Sequence, residues 1–485
     1  MTERWSRDQV LALAPDASSR KAAQGVGVAT KWSGAGATEE MVFGECAGSG
    51  AKRYRSCVDL AETGFRCDCP SRKFPCKHAL GLLLLWAEGG VPETDSLPAW
   101  AGEWLARRRE RAARSAAKAA SAASAGSAET AGAAGAAEAA GSAGDAEVAK
   151  STGSAESGSS DDGSDDSSVE GGRRRVSGAA AQREERVAAG LSDLERWLED
   201  QMRQGIAEAR RTGPDAWADL HRRLIDVQAP GLAAAVARLP AVLRADDWPE
   251  HLLGEYALMY LLAVAYRGET GEGPLRDTIR SRVGFTVLRE DVLAGKGIRD
   301  RWDVIGSRDE EQDRLTARRV WLRGRTTGRA ALVLSFAGPG QALDASLVTG
   351  TTIDADLVFY PGASPLRALV ATRHAIVRDG PPPGATREEC LAEVARALAG
   401  DPWVASWPVV LAGVVPGAGR DLLLSGGEPA DAPAPGVPLH PETGTPWRLI
   451  AVSGGRPVTV GAEWTPRGFR PLTVWNEETG RVVIL

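Results

Sequence analysis

Residues 111–170 divide this chain before any motif is considered. Of these 60 residues 21 are Ala, 13 Ser and 8 Gly, and none is aromatic. Such a stretch cannot bury enough apolar surface to offset chain entropy. No core can run through it, so the chain must fold as separate parts on either side. The Ala-rich portion, Ala112 to Ala140, favours transient helix but presents no apolar stripe that could dock. The Ser/Asp end, Ser151 to Glu170, reads as coil. A tether of this length lets its flanks move almost independently, and limited proteolysis is expected to part them. The expected organisation is an N-terminal domain over 1–106, a disordered low-complexity linker over 107–182 and a third part over 183–485.

The formal charge of -6 belongs mostly to that middle. Residues 1–110 carry 15 Lys/Arg against 14 Asp/Glu, whereas residues 111–170 carry 4 against 10. The longest unbroken apolar run, Tyr256 to Tyr266, has 11 residues, and a bilayer crossing needs roughly 20. No membrane span is therefore expected. The N-terminal Met1 to Asp8 mixes charges and leads into no apolar segment, so a cytoplasmic location is expected. Six cysteines in 485 residues are too sparse for a disulfide scaffold, and clustered thiols in a reducing compartment more often bind metal.

After the linker, Leu194, Leu198, Met202 and Ile206 lay one apolar stripe along a helix. Further helices are expected near Leu232 to Leu243 and His251 to Tyr266. From about Ala317 the texture changes to short apolar runs punctuated by Gly and Pro: 331–334, 357–360 and 369–370. A helix over Arg387 to Leu398 interrupts these strands. The chain then ends in a meander of Leu449 to Val452, Val458 to Trp464, Leu472 to Trp475 and Val482 to Leu485. The fold class is α+β, with a small ββα N-terminal module and a larger helix-then-strand C-terminal domain.

The N-terminal part carries the chemistry. Cys67-Asp68-Cys69, six further residues and Cys76-Lys77-His78 supply three thiols and one imidazole within twelve residues. Zinc takes four N or S ligands in a tetrahedron, and a shell closed by four side chains leaves no position for substrate, so the metal is structural. Residues i and i+2 of an extended chain project to one side, which lets Cys67 and Cys69 bind one ion from a strand end. Arg53 to Leu60 and Thr63 to Arg66 read as the hairpin that carries them, and Pro75 and Ala79 to Trp86 as a following helix. Cys46 and Cys57 lack metal-spaced partners and read as packed or exposed thiols, and Cys390 as core.

This order of Cys-x-Cys, short loop, Cys-x-His, strands and apolar helix resembles the SWIM zinc finger over about residues 55–87. The wider stretch from Val10 through Phe43 to Gly50 and Pro70 to His78 is similar to a bacterial subgroup of that family. The resemblance implies Cys67, Cys69, Cys76 and His78 as ligands of one zinc ion, and a role in contacting DNA or protein. It also implies an association with AAA-type ATPases.

Lys52, Arg53, Arg55, Arg66, Arg72, Lys73 and Lys77 surround the motif, with Tyr54, Phe65 and Phe74 interleaved. A compact basic surface with aromatics is the footprint of nucleic-acid binding. The same charges could only balance the thiolates, which leaves a protein partner or scaffold role equally open. The acidic tract Asp161 to Asp166 could fold back on the finger. Nothing in the sequence forms an enzyme's site. No phosphate-binding loop or His-Glu-x-x-His occurs, and His221, His251, His374 and His440 stand alone. Asp354 and Asp356 read as a solvated pair. The C-terminal domain is the place for any unrecognised catalytic site, and most of the 15 tryptophans read as core.

Overall fold

The computed structural model describes residues 4–48, 52–61, 63–71, 73–111, 166–212, 215–268, 271–312, 315–338, 341, 343–377, 379–416, 421–424, 436–476 and 480–485. Before the hairpin read from sequence come two short helices, α1 (Arg7–Ala12) and α2 (Ala17–Val26). Ser6 and Gln9 cap α1 reciprocally and Asp16 caps α2, which satisfies amide groups that a short helix cannot bond internally. Four strands follow: β1 (Trp32–Ala37), β2 (Met41–Ala47), β3 (Arg53–Asp59) and β4 (Gly64–Cys67), antiparallel and in chain order. Side-chain alternation gives this sheet two faces. Val42, Val58 and Phe65 join the core around α3 (Lys77–Ala87), whose residues are buried from His78 to Trp86. A helix apolar all round needs cover on all sides, and the sheet, α1 and α2 supply it.

The opposite face, with Met41, Phe43 and Cys57, is covered by Ala101 and Leu105 of α4 (99–111). The expected ββα module is thus half of a larger unit. Its last helix runs through 111, past the boundary expected at 106, and Arg108 reaches back to the buried Asp59 at 3.2 Å. The Ala-rich segment Ala112 to Ala140 and residues 161–165 of the acidic tract lie outside the described residues.

Helix α5 (Asp166–Gln204) begins inside the stretch expected to be coil through Glu170. With α6 (Ala209–Thr212), α7 (Asp215–Asp226), α8 (Pro230–Val242), α9 (Trp248–Gly268) and α10 (Pro274–Val283) it forms a helical bundle. The stripe of Leu194 and Leu198 is buried and extends upstream to Leu191 and Val187. It stops before Met202, which is 45% exposed, because Gly205 at φ 89° ends the helix and puts Ile206 in a separate turn. Gly231 lets α8 meet the end of α10 backbone to backbone: a Cβ there would lie 2.1 Å from the Arg282 carbonyl oxygen.

The strand-rich part starts earlier than Ala317. After α11 (Arg289–Leu293), β5 (Ile298–Gln312) pairs with β6 (Leu315–Gly324) and β8 (Thr352–Phe359), and β7 (Ala330–Ala337) and β9 (Ala368–Val377) complete a sheet ordered 7-6-5-8-9. α12 (Arg387–Gly400) matches the helix expected there. A second sheet, ordered 12-11-10-13-14-15, comprises β10 (Trp407–Pro416), β11 (Asp421–Leu424), β12 (Val437–Pro438), β13 (Val458–Thr465), β14 (Gly468–Asn476) and β15 (Arg481–Ile484). Ile305, Trp321 and Leu332 pack against Val410, Leu472 and Trp475 where the sheets meet. The run Leu449 to Val452 is no strand: it lies in helix α13 (Trp447–Ser453), stopped by Gly454 in the left-handed region. Trp302, Trp321, Trp407 and Trp475 are core as expected, whereas Trp447 is 72% exposed.

The N-terminal unit is docked on this part. Gln9 donates from Nε2 to the Thr349 carbonyl at 2.9 Å in a buried contact, and Ser6 donates from Oγ to the Val482 carbonyl at 3.0 Å. Val348, 2% exposed, belongs to the same cluster as Leu80, Leu83 and Trp86. Arg448 and Asp8 pair at 3.0 Å on the rim. The flanks expected to move independently share one core.

Candidate metal centre

The site is built where β4 ends and α3 begins. Antiparallel pairing sets Ser56 opposite Cys67, and Asp68 fixes the strand end by accepting from the Arg55 amide at 2.9 Å through Oδ1. Asp68 is therefore a brace, although it sits between two ligands. Cys67 continues the face of Phe65 toward α3. The loop back passes through the cis Phe74–Pro75 bond. Cys76 then caps α3, its Sγ accepting from the Ala79 amide at 3.5 Å. Pro75 therefore lies outside the helix rather than in its first turn. Close packing of α2 on α3 holds this entry in place: a Cβ on Gly81 would come within 2.5 Å of Val26 Cγ2 and 3.2 Å of the Ala23 carbonyl oxygen. Gly81→Val should cost about 1–3 kcal/mol through overpacking. Chemical denaturation of the full chain, compared with wild type, checks it.

The ligand atoms of Cys67, Cys69, Cys76 and His78 all lie within 4.8 Å of one another. Cys67 Sγ is 3.8 Å from His78 Nδ1. A tetrahedral ion with zinc–sulfur bonds of ~2.3 Å spaces its sulfurs by about 3.8 Å, so the set fits zinc. Without a metal the thiols must share protons. Hydrogen bonding from Cys67 holds the Cys76 thiol well below its usual range against its burial, with His78 and the Ala79 amide assisting. The hydrogen bond to Cys76 and burial push Cys67 up, and burial raises Cys69. Cys67, Cys69, Cys76 and His78 would hold one dication, whose charge would stabilise the three thiolates together. The Tyr54 ring lies 5.0 Å from the His78 ring, tilted by 31°, and fixes its plane.

The basic residues around the motif do not form one surface. Lys52, Lys73 and Lys77 lie on the zinc side: Lys73 and Lys77 line an open groove of about 760 Å3 with Tyr54, Cys69 and His78, and Lys52 stands 5.8 Å from the Tyr54 ring centre. Lys31 lines the same groove, a residue that no sequence spacing connects to the finger. Arg53, Arg55 and Arg66 belong to the other face. Arg53 bonds Ser33, Arg55 pairs with Glu45 at 3.1 Å and Arg66 donates to the Trp100 carbonyl at 3.4 Å. Arg72 lies outside the described residues. Lys73 also pairs with Asp16 at 2.7 Å, which holds that carboxyl well below the usual range.

Other candidate groups are satisfied by neighbours. Cys46 and Cys57 are fully buried away from the cluster, and burial pushes the Cys57 thiol up to about 12. Cys390 is core. Asp354 binds Arg299 and Asp356 binds His374 at 2.6 Å, so the expected solvated pair is a set of cross-strand contacts. His221 contacts the Ala233 carbonyl, His251 contacts Asp247, and burial drives His440 down to about 4 beside Arg470.

Three thiols and an imidazole gathered between a hairpin and a helix N-terminus define a zinc-finger protein. The chain matches the SWIM zinc finger model over residues 58–87, which contain all four ligands. It also matches the model of the SWIM-associated four-helix bundle domain over residues 182–283, the span from α5 to α10. The chain thus carries a SWIM zinc finger, whose Cys3His set supports one structural zinc ion. The likeness to a bacterial subgroup gains no match of its own. No curated protein and no solved structure matches the chain. Among the described residues no helix is long and apolar enough to cross a membrane.

Proposed function

We propose that the protein is a non-catalytic nucleic-acid-binding module that takes a phosphate backbone into the groove beside its zinc site. The observation that carries this is the convergence of Lys31, Lys73 and Lys77 on one groove walled by Tyr54 and His78, with Lys52 beside the Tyr54 ring. Ammonium groups around a concave surface attract a polyanion, and aromatic rings beside them offer a face to a sugar or base. Zinc supports this by position alone: it ties Cys69 and His78 in the wall and holds the strand and helix that carry Tyr54 and Lys77. A closed four-ligand shell leaves no coordination site for chemistry.

Full-length, zinc-loaded protein should bind DNA with an affinity that falls as salt rises, with a log–log slope of about -0.9 for each phosphate contact. Lys77→Ala should weaken binding to all sequences alike and reduce the slope by about 1. Fluorescence anisotropy over a salt series reads both, with zinc content as the folding control. Binding that ignores salt, or ignores Lys31→Glu together with Lys77→Glu, rules the reading out and moves the search to a protein partner.

A further inference from the structure

The longest apolar run of the chain forms the middle of α9, and the bundle covers only one side of it. Tyr256, Met259, Leu262, Ala263 and Tyr266 enter the core against α5, α8 and α10. On the other side Leu253, Tyr260, Leu261 and Val264 are 45%, 41%, 43% and 39% exposed, with Ala257 exposed among them. The offsets from Leu253 place all five on one stripe, about 16 Å long at 1.5 Å per residue. Scattered apolar residues on a surface are ordinary, whereas a continuous stripe on a helix apolar all round is built to be covered. No described element of the chain covers it.

We propose that this face is an interface between two copies of the chain, with the two α9 helices packed antiparallel about a twofold axis near Leu258 and Met259. The sequence of the stripe is complementary to itself in that arrangement. Leu253 faces Val264 of the second copy, and Ala257 faces Tyr260, so a small residue receives a large one. At each end Glu250 faces Arg267 of the second copy. A parallel pairing would instead set Glu250 against Glu250 and Arg267 against Arg267. Arg267 already binds Glu195 of its own chain, yet its side chain remains 44% exposed and can take a second carboxylate. Gly254 adds no side chain to the edge beside Leu261, and the space above it is open. An isologous contact of this kind closes at two copies. A stripe of five side chains is small beside the ~800 Å2 per partner of a standard interface, so the association is expected to be weak and to depend on concentration.

Sedimentation velocity of the zinc-loaded full chain across the micromolar range tests this. The expected result is a shift from monomer to dimer as concentration rises. Leu261→Glu, an exposed change that leaves the core intact, should weaken dimerisation at least about tenfold, and Glu250→Arg should weaken it through repulsion with Arg267. Helical circular dichroism should be unchanged in both. A chain that stays monomeric throughout, or a dimer indifferent to both substitutions, overturns the proposal. In the monomeric case the stripe would be left to a different protein.

Discussion

Cys69→Ser should leave the chain without zinc and abolish the cooperative unfolding of its N-terminal unit. Zinc binding in small sites of this kind supplies on the order of 10–16 kcal/mol of apparent folding free energy, against a total stability of about 5–15 kcal/mol for a typical domain. The geometry shows why so much rests on it. Strand β4 is only four residues long, and the four ligands join its end to the start of α3 across the return from Cys69 to Cys76. Without the ion, thiols within 4.8 Å of one another must share protons under burial. The apolar cluster around Leu80, Leu83 and Trp86 is substantial, but α3 enters it through Cys76 and His78, so losing the ligands frees the end that sets its register. Zinc content and thermal unfolding of the full chain are the measurements, and chelation should copy the substitution. Cys57→Ser is the control: that thiol is buried on the other face of the sheet, so its loss should spare zinc binding. A Cys69→Ser protein that keeps one zinc per chain and unfolds like wild type would contradict the assignment.

The ligands were legible because their signal is local. Cys-x-Cys and Cys-x-His specify chelation whatever surrounds them, and the hairpin of β3 and β4 was readable from short β-rich runs. Helices α8, α9 and α12 were readable as well, being periodic or capped. Long-range pairing was not. Strand β5 contains Arg299, Asp300, Arg301 and Asp303, which show no apolar run, and the partner strand supplies Asp354 for Arg299 at 2.9 Å. The run Leu449 to Val452 failed for the opposite reason: four apolar residues carry no period, and flanking Pro446 and Gly454 decide for helix. Lys31 could not be assigned to the groove, since only the folded sheet and α2 bring it beside Lys73 and Lys77. Helices α1 and α2 were missed because each is too short to show a stripe.

The composition and length of the tether made the two flanks look independent, and the docked arrangement predicts the reverse. With a protease site inserted between residues 112 and 165, the cleaved pieces should still elute together on gel filtration. The contact has the character of a core: Val348 sits fully buried among residues of the N-terminal unit, and Gln9 supplies the Thr349 carbonyl with a partner away from water. Val348→Asp would bury a carboxylate among apolar side chains, at a cost of several kcal/mol that separation of the pieces relieves. Gln9→Ala should be milder, about 1–3 kcal/mol, because it strands one buried acceptor. The Arg448–Asp8 pair is on the rim, where exposed ion pairs contribute about 0–1 kcal/mol, so Arg448→Ala should leave co-elution intact. The expected order is therefore release by Val348→Asp, partial release by Gln9→Ala and none by Arg448→Ala. Pieces of the unsubstituted chain that part on cleavage would show that the shared core does not hold. Co-elution would mean that the zinc-bearing unit and the sheets of the C-terminal part present their surfaces, the lysine groove included, in one fixed relation to any partner.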